Sequence, residues 1–273
     1  MGQSALINVI FKAAEKSARG LIRDFGEVEN LQITRKGVAD FVSNADMDAE
    51  KAITRELSRA RPGWGFIMEE GGVVAPEEED GPSWIIAPLD GTPNFIHGIP
   101  HFAISIAAID KPLAKGGKII AGGIFDPMRN EFFFAEPGKG AFLNDRRIRV
   151  SGRRNMGECL FATGLPYLGR GSEDDHAMAL KETGAVMAQT SGIRRMGAAA
   201  LDLAWVAAGR FDGFWEHGLN IWDIAAGVLI VREAGGFVSD FAARDKALQG
   251  DIVAANSNCH GDLLKLLRKG RDS

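Results

Sequence analysis

Trp84-Ile85-Ile86-Ala87-Pro88-Leu89-Asp90-Gly91-Thr92-Pro93-Asn94-Phe95 is the stretch on which the fold turns. Its first residues form a short β-prone run, and the run gives way at Asp90-Gly91-Thr92 to a turn or short helix. Backbone N–H groups at such a helix start form a nest for an anion, and Gly91 permits close approach. Asp90 sets a negative oxygen ligand beside that nest. A carboxylate next to a phosphate cradle implies a bridging cation, most simply Mg²⁺. By itself the tripeptide also reads as a plain Asp-Gly turn with Thr92 as a cap, so the rest of the chain has to decide.

On either side the pattern changes character. Residues 102–109, 118–126 and 131–135 read as strands, Gly138-Lys139-Gly140 as a turn, and 148–150 as an edge strand. Towards the N-terminus, Leu6, Ile10, Ala14, Leu21 and Phe25 form the apolar stripe of a helix over 4–25. A second helix over 46–60 starts from Ser43 or Asn44 and stops at Arg61-Pro62-Gly63. Beyond residue 150, helices at 196–209, 222–234 and 260–267 alternate with strands at 211–216, 237–240 and 252–255. A strand-rich first half and an alternating second half predict an α/β (α+β) fold: two stacked sheets, with helices between and outside them. The halves divide at residue 150, into 1–150 and 151–273.

Composition supports an ordinary folded chain. Of 273 residues, 45% are hydrophobic and 25% charged, which excludes disorder and fibrous structure. The 34 glycines are many for this length and point to tight turns and close backbone approaches. Net charge is −4, so bulk polyanion binding gains no support. The local cluster Arg146, Arg147, Arg149, Arg153 and Arg154 reads first as a solvated face. Cys159 and Cys259 make no disulfide framework or C-x-x-C pair. No basic-then-apolar leader and no long apolar run is present, so the expected setting is cytoplasmic.

Three further segments carry carboxylates. Glu69-Glu70-Gly71-Gly72 follows the apolar Phe66-Ile67-Met68, which puts an acidic pair at a strand end. Trp222-Asp223 opens a helix rich in small residues, where Asp223 either caps the helix or holds a metal. Lys36 to Asp46 forms a polar loop ahead of the second helix, and Asp46 is also suited to the helix dipole. Each has an ordinary structural reading when taken singly.

Taken in this order, the segments resemble the inositol monophosphatase family, including its bacterial extragenic-suppressor branch. The resemblance runs from the first helix to Asn256. It rests on a W-x-x-D-P-[IL]-D-G-T-x-N-F block at Trp84–Phe95 and a W-D-x-A-A-G block at Trp222–Gly227. It implies a layered αβαβα sugar-phosphatase fold and Mg²⁺-dependent, lithium-sensitive hydrolysis of a small phosphate monoester. Inositol monophosphate leads the candidate substrates, ahead of histidinol phosphate, fructose bisphosphate, NADP and nucleotide 3′-phosphates. By resemblance, Glu69 and the Leu89 carbonyl hold the first metal, and Asp90 and Asp223 the second. Thr92 with Asp46 orients the attacking water, and the Gly91 and Thr92 amides cradle phosphate. Gly197, Ala198, Glu216 and Asp90 contact the polyol, and Lys36 lies on a loop that moves in relatives. Most metal ligands thus fall in 1–150, while 151–273 completes the substrate site. The resemblance also implies a homodimer and, for the suppressor branch, contact with RNA polymerase.

Two positions depart from the pattern. Ala87 stands where the family has the first Asp of D-P-[IL]-D-G-T, a residue that bridges two metals. Its absence predicts weak Mg²⁺ binding and impaired turnover, since loss of even an outer ligand costs roughly 10–100-fold. Pro93 stands where Thr is common; it removes one backbone donor, tolerable in the first turn of a helix. A haloacid-dehalogenase phosphatase would need its nucleophile at position 88, which is Pro88. Gly116-Gly117 and Gly122-Gly123 do not make a dinucleotide fingerprint. His97 and His101, separated by Pro100, read as loop and packing residues. The alternative of another class is a catalytically weakened regulatory protein, with Arg146–Arg154 and Arg194-Arg195 as its contact surface.

Overall fold

The computed structural model describes residues 4–27, 33–35, 41–167, 169 and 171–272. Lys36 and Asp40 lie outside the described residues. Helix α1 (Ala5–Phe25) turns Ile7, Ile10, Ala14 and Leu21 inward, and the Ile7 N–H donates to Ser4 Oγ at 3.2 Å as its cap. The short pair β1 (Ile33–Arg35) and β2 (Phe41–Ser43) precedes helix α2 (Asn44–Ala60). Both helices cover one face of the larger sheet, and their apolar sides form a core with Trp84, Ile86, Ile104, Ile106 and Phe132.

That sheet has eight strands. Its members are β3 (Gly65–Met68), β4 (Gly72–Val74), β5 (Ser83–Asp90), β6 (Ala103–Ile109), β7 (Ile119–Asp126), β8 (Glu131–Glu136), β9 (Gly140–Leu143) and β10 (Arg146–Ile148). From β5 to β10 consecutive strands are antiparallel neighbours, β3 runs parallel to β5, and β4 closes the edge beyond β3. Strands β5 and β6 are buried on both faces, which is why they read as continuous apolar runs. Trp84 and Ile86 face α1 and α2, while Ile85 faces the opposite core.

The smaller sheet has five strands: β11 (Leu160–Thr163), β12 (Gly192–Arg194), β13 (Gly213–Glu216), β14 (Phe237–Ser239) and β15 (Ile252–Ala255). Helices α5 (Ala199–Ala207) and α6 (Ile221–Glu233) lie between the two sheets in one shared core. The small residues of α6 make this possible. A Cβ on Gly227 would come within 2.5 Å of Leu203, and one on Gly122 within 3.0 Å of the Ala226 backbone. Helix α4 (Glu173–Met187) and helix α7 (His260–Asp272) cover the outer face with Val186, Leu263 and Leu267. The result is the expected αβαβα layering.

Several elements differ from the sequence reading. The helix expected over 196–209 starts only at Ala199, because Gly197 is left-handed at φ +82° and Ala198 is extended. The final helix runs on to Asp272. Strand β4 and helix α4 were not expected. Cys159 and Cys259 are each other's partners: both are buried, with sulfurs 3.3 Å apart, and burial pushes the Cys159 thiol up.

Candidate active site

The site begins where β5 runs out. Opposite β6, the three-residue step from Ala87 to Asp90 faces the two-residue step from Ser105 to Ala103, so the strand bulges at Pro88-Leu89. Pro88 has no N–H to give a ladder, which suits a bulge inside a central strand. Gly91 then turns left-handed at φ +95°, and helix α3 (Thr92–Ile96) starts. A Cβ on Gly91 would stand 3.0 Å from the His101 carbonyl and 3.3 Å from Ala198, so glycine is required twice over. Pro93 is the second residue of α3 and exposed; its missing N–H falls in the first turn, where no helical bond is lost.

The motif's Asn94-Phe95 joins the two halves. Asn94 Nδ2 donates to the His101 carbonyl at 2.8 Å and to the Met196 carbonyl at 2.9 Å, which draws the loop bearing Gly197 to α3. Phe95 is fully buried against Phe25 and Phe102. From the other side, Ser105 Oγ donates to the Trp222 carbonyl at 3.3 Å beside the start of α6.

One cleft results, with room for about 100 Å³ of solvent. Glu69, Leu89, Asp90, Gly91 and Thr92 line it from the first half. Gly197, Glu216 and Asp223 line it from the second. Ala198 does not: it is buried behind Gly91, and Ala199 takes its place on the wall. Asp46 also lies behind the wall, with Thr92 Oγ1 3.4 Å from its Oδ2. The shorter Thr92 hydrogen bond, 3.0 Å, goes to the Leu89 carbonyl. The expected Thr92–Asp46 pair is therefore present but shares its proton with the backbone.

Two of the acids are fixed by helix starts. Asp90 Oδ2 accepts from the Ala200 N–H at 2.8 Å, and Asp223 Oδ2 accepts from the Asn220 N–H at 2.9 Å. The positive ends of α5 and α6 thus point into the cleft, as does that of α3. Gly164 makes room for Glu216, whose carboxylate would be struck by any Cβ there.

Burial, then the carboxylates of Asp223 and Glu216, push the Asp90 carboxyl well above the usual range, against the pull of the Ala200 and Ala199 amides. Asp202 on α5 is pushed up likewise by burial, Glu216 and Asp90. Acids gathered this closely need a proton or a cation among them. The Asp90 and Asp223 carboxylates and the Leu89 carbonyl on the cleft wall are oxygen donors of the kind a divalent cation takes. Ala87 is fully buried and gives no side-chain oxygen, and among the described residues no three His, Cys, Asp or Glu side chains form a ready metal cage. The fit is to an ion with few protein ligands, as Mg²⁺ tolerates when water and phosphate fill the remainder.

Some members of the cleft were not expected from the sequence. Arg194 and Arg195 read from the sequence as an outer contact surface; both are exposed, and Arg195 also lines the cleft. Asn220 and Tyr167 also line it; the spacing Asn220-x-x-Asp223 is a helix-start signature that points to the former. His101 is buried against Trp205, its acidity set at about 4 by burial and Arg129, which confirms a packing role.

Carboxylates beside helix N-termini in one cleft of a layered α/β protein suit the binding of phosphate together with a cation. The sequence matches the inositol monophosphatase family over residues 3–271, and the chain belongs to that family. It is 53% identical over 270 residues to an inositol-1-monophosphatase of Mesorhizobium japonicum, covering 98% of each chain. It is 42% identical over 266 residues to the Nus factor SuhB of Pseudomonas aeruginosa, covering 96% of each. The crystal structure of the extragenic suppressor protein suhB from Bartonella henselae superposes with a TM-score of 0.92 at 52% identity, over 98% of this chain and 100% of that one. No helix among the described residues is long and apolar enough to cross a membrane.

Proposed function

We propose that the cleft hydrolyses a small phosphate monoester, inositol monophosphate first among them, with Mg²⁺ as cofactor. The observation that carries this reading is the meeting of Asp90, Asp223 and the left-handed Gly91 turn in one cleft. In this reading Glu69, the Leu89 carbonyl, Asp90 and Asp223 hold the ion or ions. Bound Mg²⁺ would supply Lewis acidity, lowering the pKa of water and steadying the leaving alkoxide. The Gly91 and Thr92 amides hold the phosphate, and Thr92, backed by Asp46, orients water for in-line attack. Gly197 and Glu216 meet the hydroxyls of the substrate, and lithium competes for the metal site. The working form is a cytoplasmic homodimer.

Ala87 impairs this chemistry. Parent and Ala87→Asp proteins are to be compared for phosphate release from inositol monophosphate across a Mg²⁺ titration. The expected result is a rate at least roughly tenfold higher in the variant, at lower Mg²⁺. Equal rates and equal Mg²⁺ requirement would refute the impairment. No release by either protein would refute the substrate.

A second reading is favoured by the SuhB relatives, named as Nus factors at 42–44% identity, together with Ala87. In it the chain acts as a partner of RNA polymerase, through exposed arginines such as Arg146, Arg149 and Arg154. Co-purification with polymerase, undiminished by Asp90→Asn, supports it; turnover without any macromolecular partner supports the first.

A further inference from the structure

We infer that Glu50 is a positioning residue that aligns Glu69 for the cation, an inference that rests on the metal reading above. Glu50 stands one helical turn after Asp46 on the inner side of α2, and both carboxylates are buried. Asp46 backs Thr92. Glu50 reaches a different segment: its Oε2 accepts from the Glu70 N–H at 2.9 Å. Its Oε1 lies under Gly71, where an added Cβ would stand only 2.8 Å away. One face of one helix thus grips two stretches that both line the cleft.

The need for such a grip follows from where Glu69 sits. Met68 pairs with Gly72 across β3 and β4, so residues 69–71 form the tip of a hairpin. β4 is exposed along its whole length and has no further neighbour in the sheet. A hairpin on a sheet edge has little packing to set the direction of a side chain at its tip. A buried carboxylate accepting a backbone N–H is a strong, directional hydrogen bond, and it is made at the residue next to Glu69. It supplies the rigidity that the edge lacks. Gly71 allows the close approach: a methyl there would meet Glu50 Oε1 and Met68 Cε, each at 2.8 Å, and would displace the Glu50 carboxylate or the Met68 end.

Mg²⁺ binding by calorimetry and metal-free melting temperature, both on the full chain, test this. Glu50→Ala is expected to weaken Mg²⁺ affinity roughly tenfold or more, the usual cost of losing a supporting partner. Glu50→Gln, which keeps an acceptor for the Glu70 N–H, is expected to stay near the parent. Gly71→Ala is expected to weaken binding in the same direction as Glu50→Ala, with little change in melting. A purely structural Glu50 would lower melting while leaving affinity unchanged, and that result overturns the inference. So does a Glu50→Gln protein as weak as Glu50→Ala, which would implicate charge instead of the hydrogen bond. If Glu50→Ala does not fold, Gly71→Ala decides, and unchanged affinity there overturns it. A parent chain that binds no Mg²⁺ overturns the metal reading and this inference together; a parent that binds, with variants that bind equally, overturns this inference alone.

Discussion

The two segments of the first half that bring a carboxylate to the cleft wall, at Asp90 and Glu69, are held in opposite ways. Asp90 ends a strand buried on both faces, is followed by a glycine with no room for a methyl group, and is bound by the start of α5. Glu69 sits at a hairpin tip on an exposed edge, with one carboxylate from α2 gripping the next residue. The same side-chain chemistry thus rests on very different support. Rigidity at Asp90 comes from packing, which many residues share. At the hairpin the Glu50 carboxylate adds a directional hydrogen bond to an exposed edge, so single substitutions there should alter function with little loss of stability.

Gly91→Ala should have the largest effect. Holding alanine at φ +95° against the His101 carbonyl costs about 1–3 kcal/mol in strain alone. In a domain of this size that lowers the melting temperature by several degrees, about 2–4 °C per kcal/mol, and phosphate release should disappear with it. If Gly91→Ala melts like the parent, the β5 end is softer than its packing implies.

His101 gives the same region an acid sensitivity. With its pKa lowered to about 4, His101 in the folded protein resists a proton that the unfolded chain takes up near pH 6.5. Stability should therefore fall as pH drops from about 6.5 towards 4. His101→Phe should flatten that slope in melting curves; an unchanged slope would assign the loss to other groups.

Asp90→Asn should act with the opposite sign. The raised carboxyl of the metal-free protein favours folding at low pH, and that contribution is lost as pH rises through the folded value. Asn removes a charge that is ill placed at neutral pH. The metal-free variant should melt higher than the parent at pH 8, with the difference shrinking towards about pH 4, and Mg²⁺ should no longer raise its melting temperature. Equal melting at pH 8 would mean that the cleft's acids do not repel one another. Pro93→Thr should do least. Pro93 is exposed in the first turn of α3, and such surface changes stay within about 0.5 kcal/mol, or roughly 1 °C.

Much of the architecture was legible because it is local. β5 and β6 declare themselves as apolar runs, and α1 as a stripe with three- and four-residue spacing. Helix α4 was not, because its buried side is thin: Ala179, Glu182 and Val186. A buried glutamate reads as surface in a sequence, yet Glu182 is matched by His217 at 3.2 Å and by Arg271 of α7, 89 residues further along the chain. Glu50 escaped notice for the same reason. The start of α5 was misjudged because Met196 and Ala198 look helical, while Gly197 between them takes a backbone angle that no periodicity reports. Arg195 reads as surface charge and is exposed, but the fold sets it at the rim of the cleft.

Short-range geometry could be read from the residues alone: a strand that ends in a glycine turn, a short helix after it, and a small-residue helix able to lie between two sheets. These depend on sterics within a few residues. The folded arrangement was needed to show which acids share a cleft, which one is pushed towards its neutral form, and which buried carboxylate grips the hairpin tip. Desolvation and charge repulsion are set by distance in space, and the residues that set them here come from helices and strands far apart in the chain.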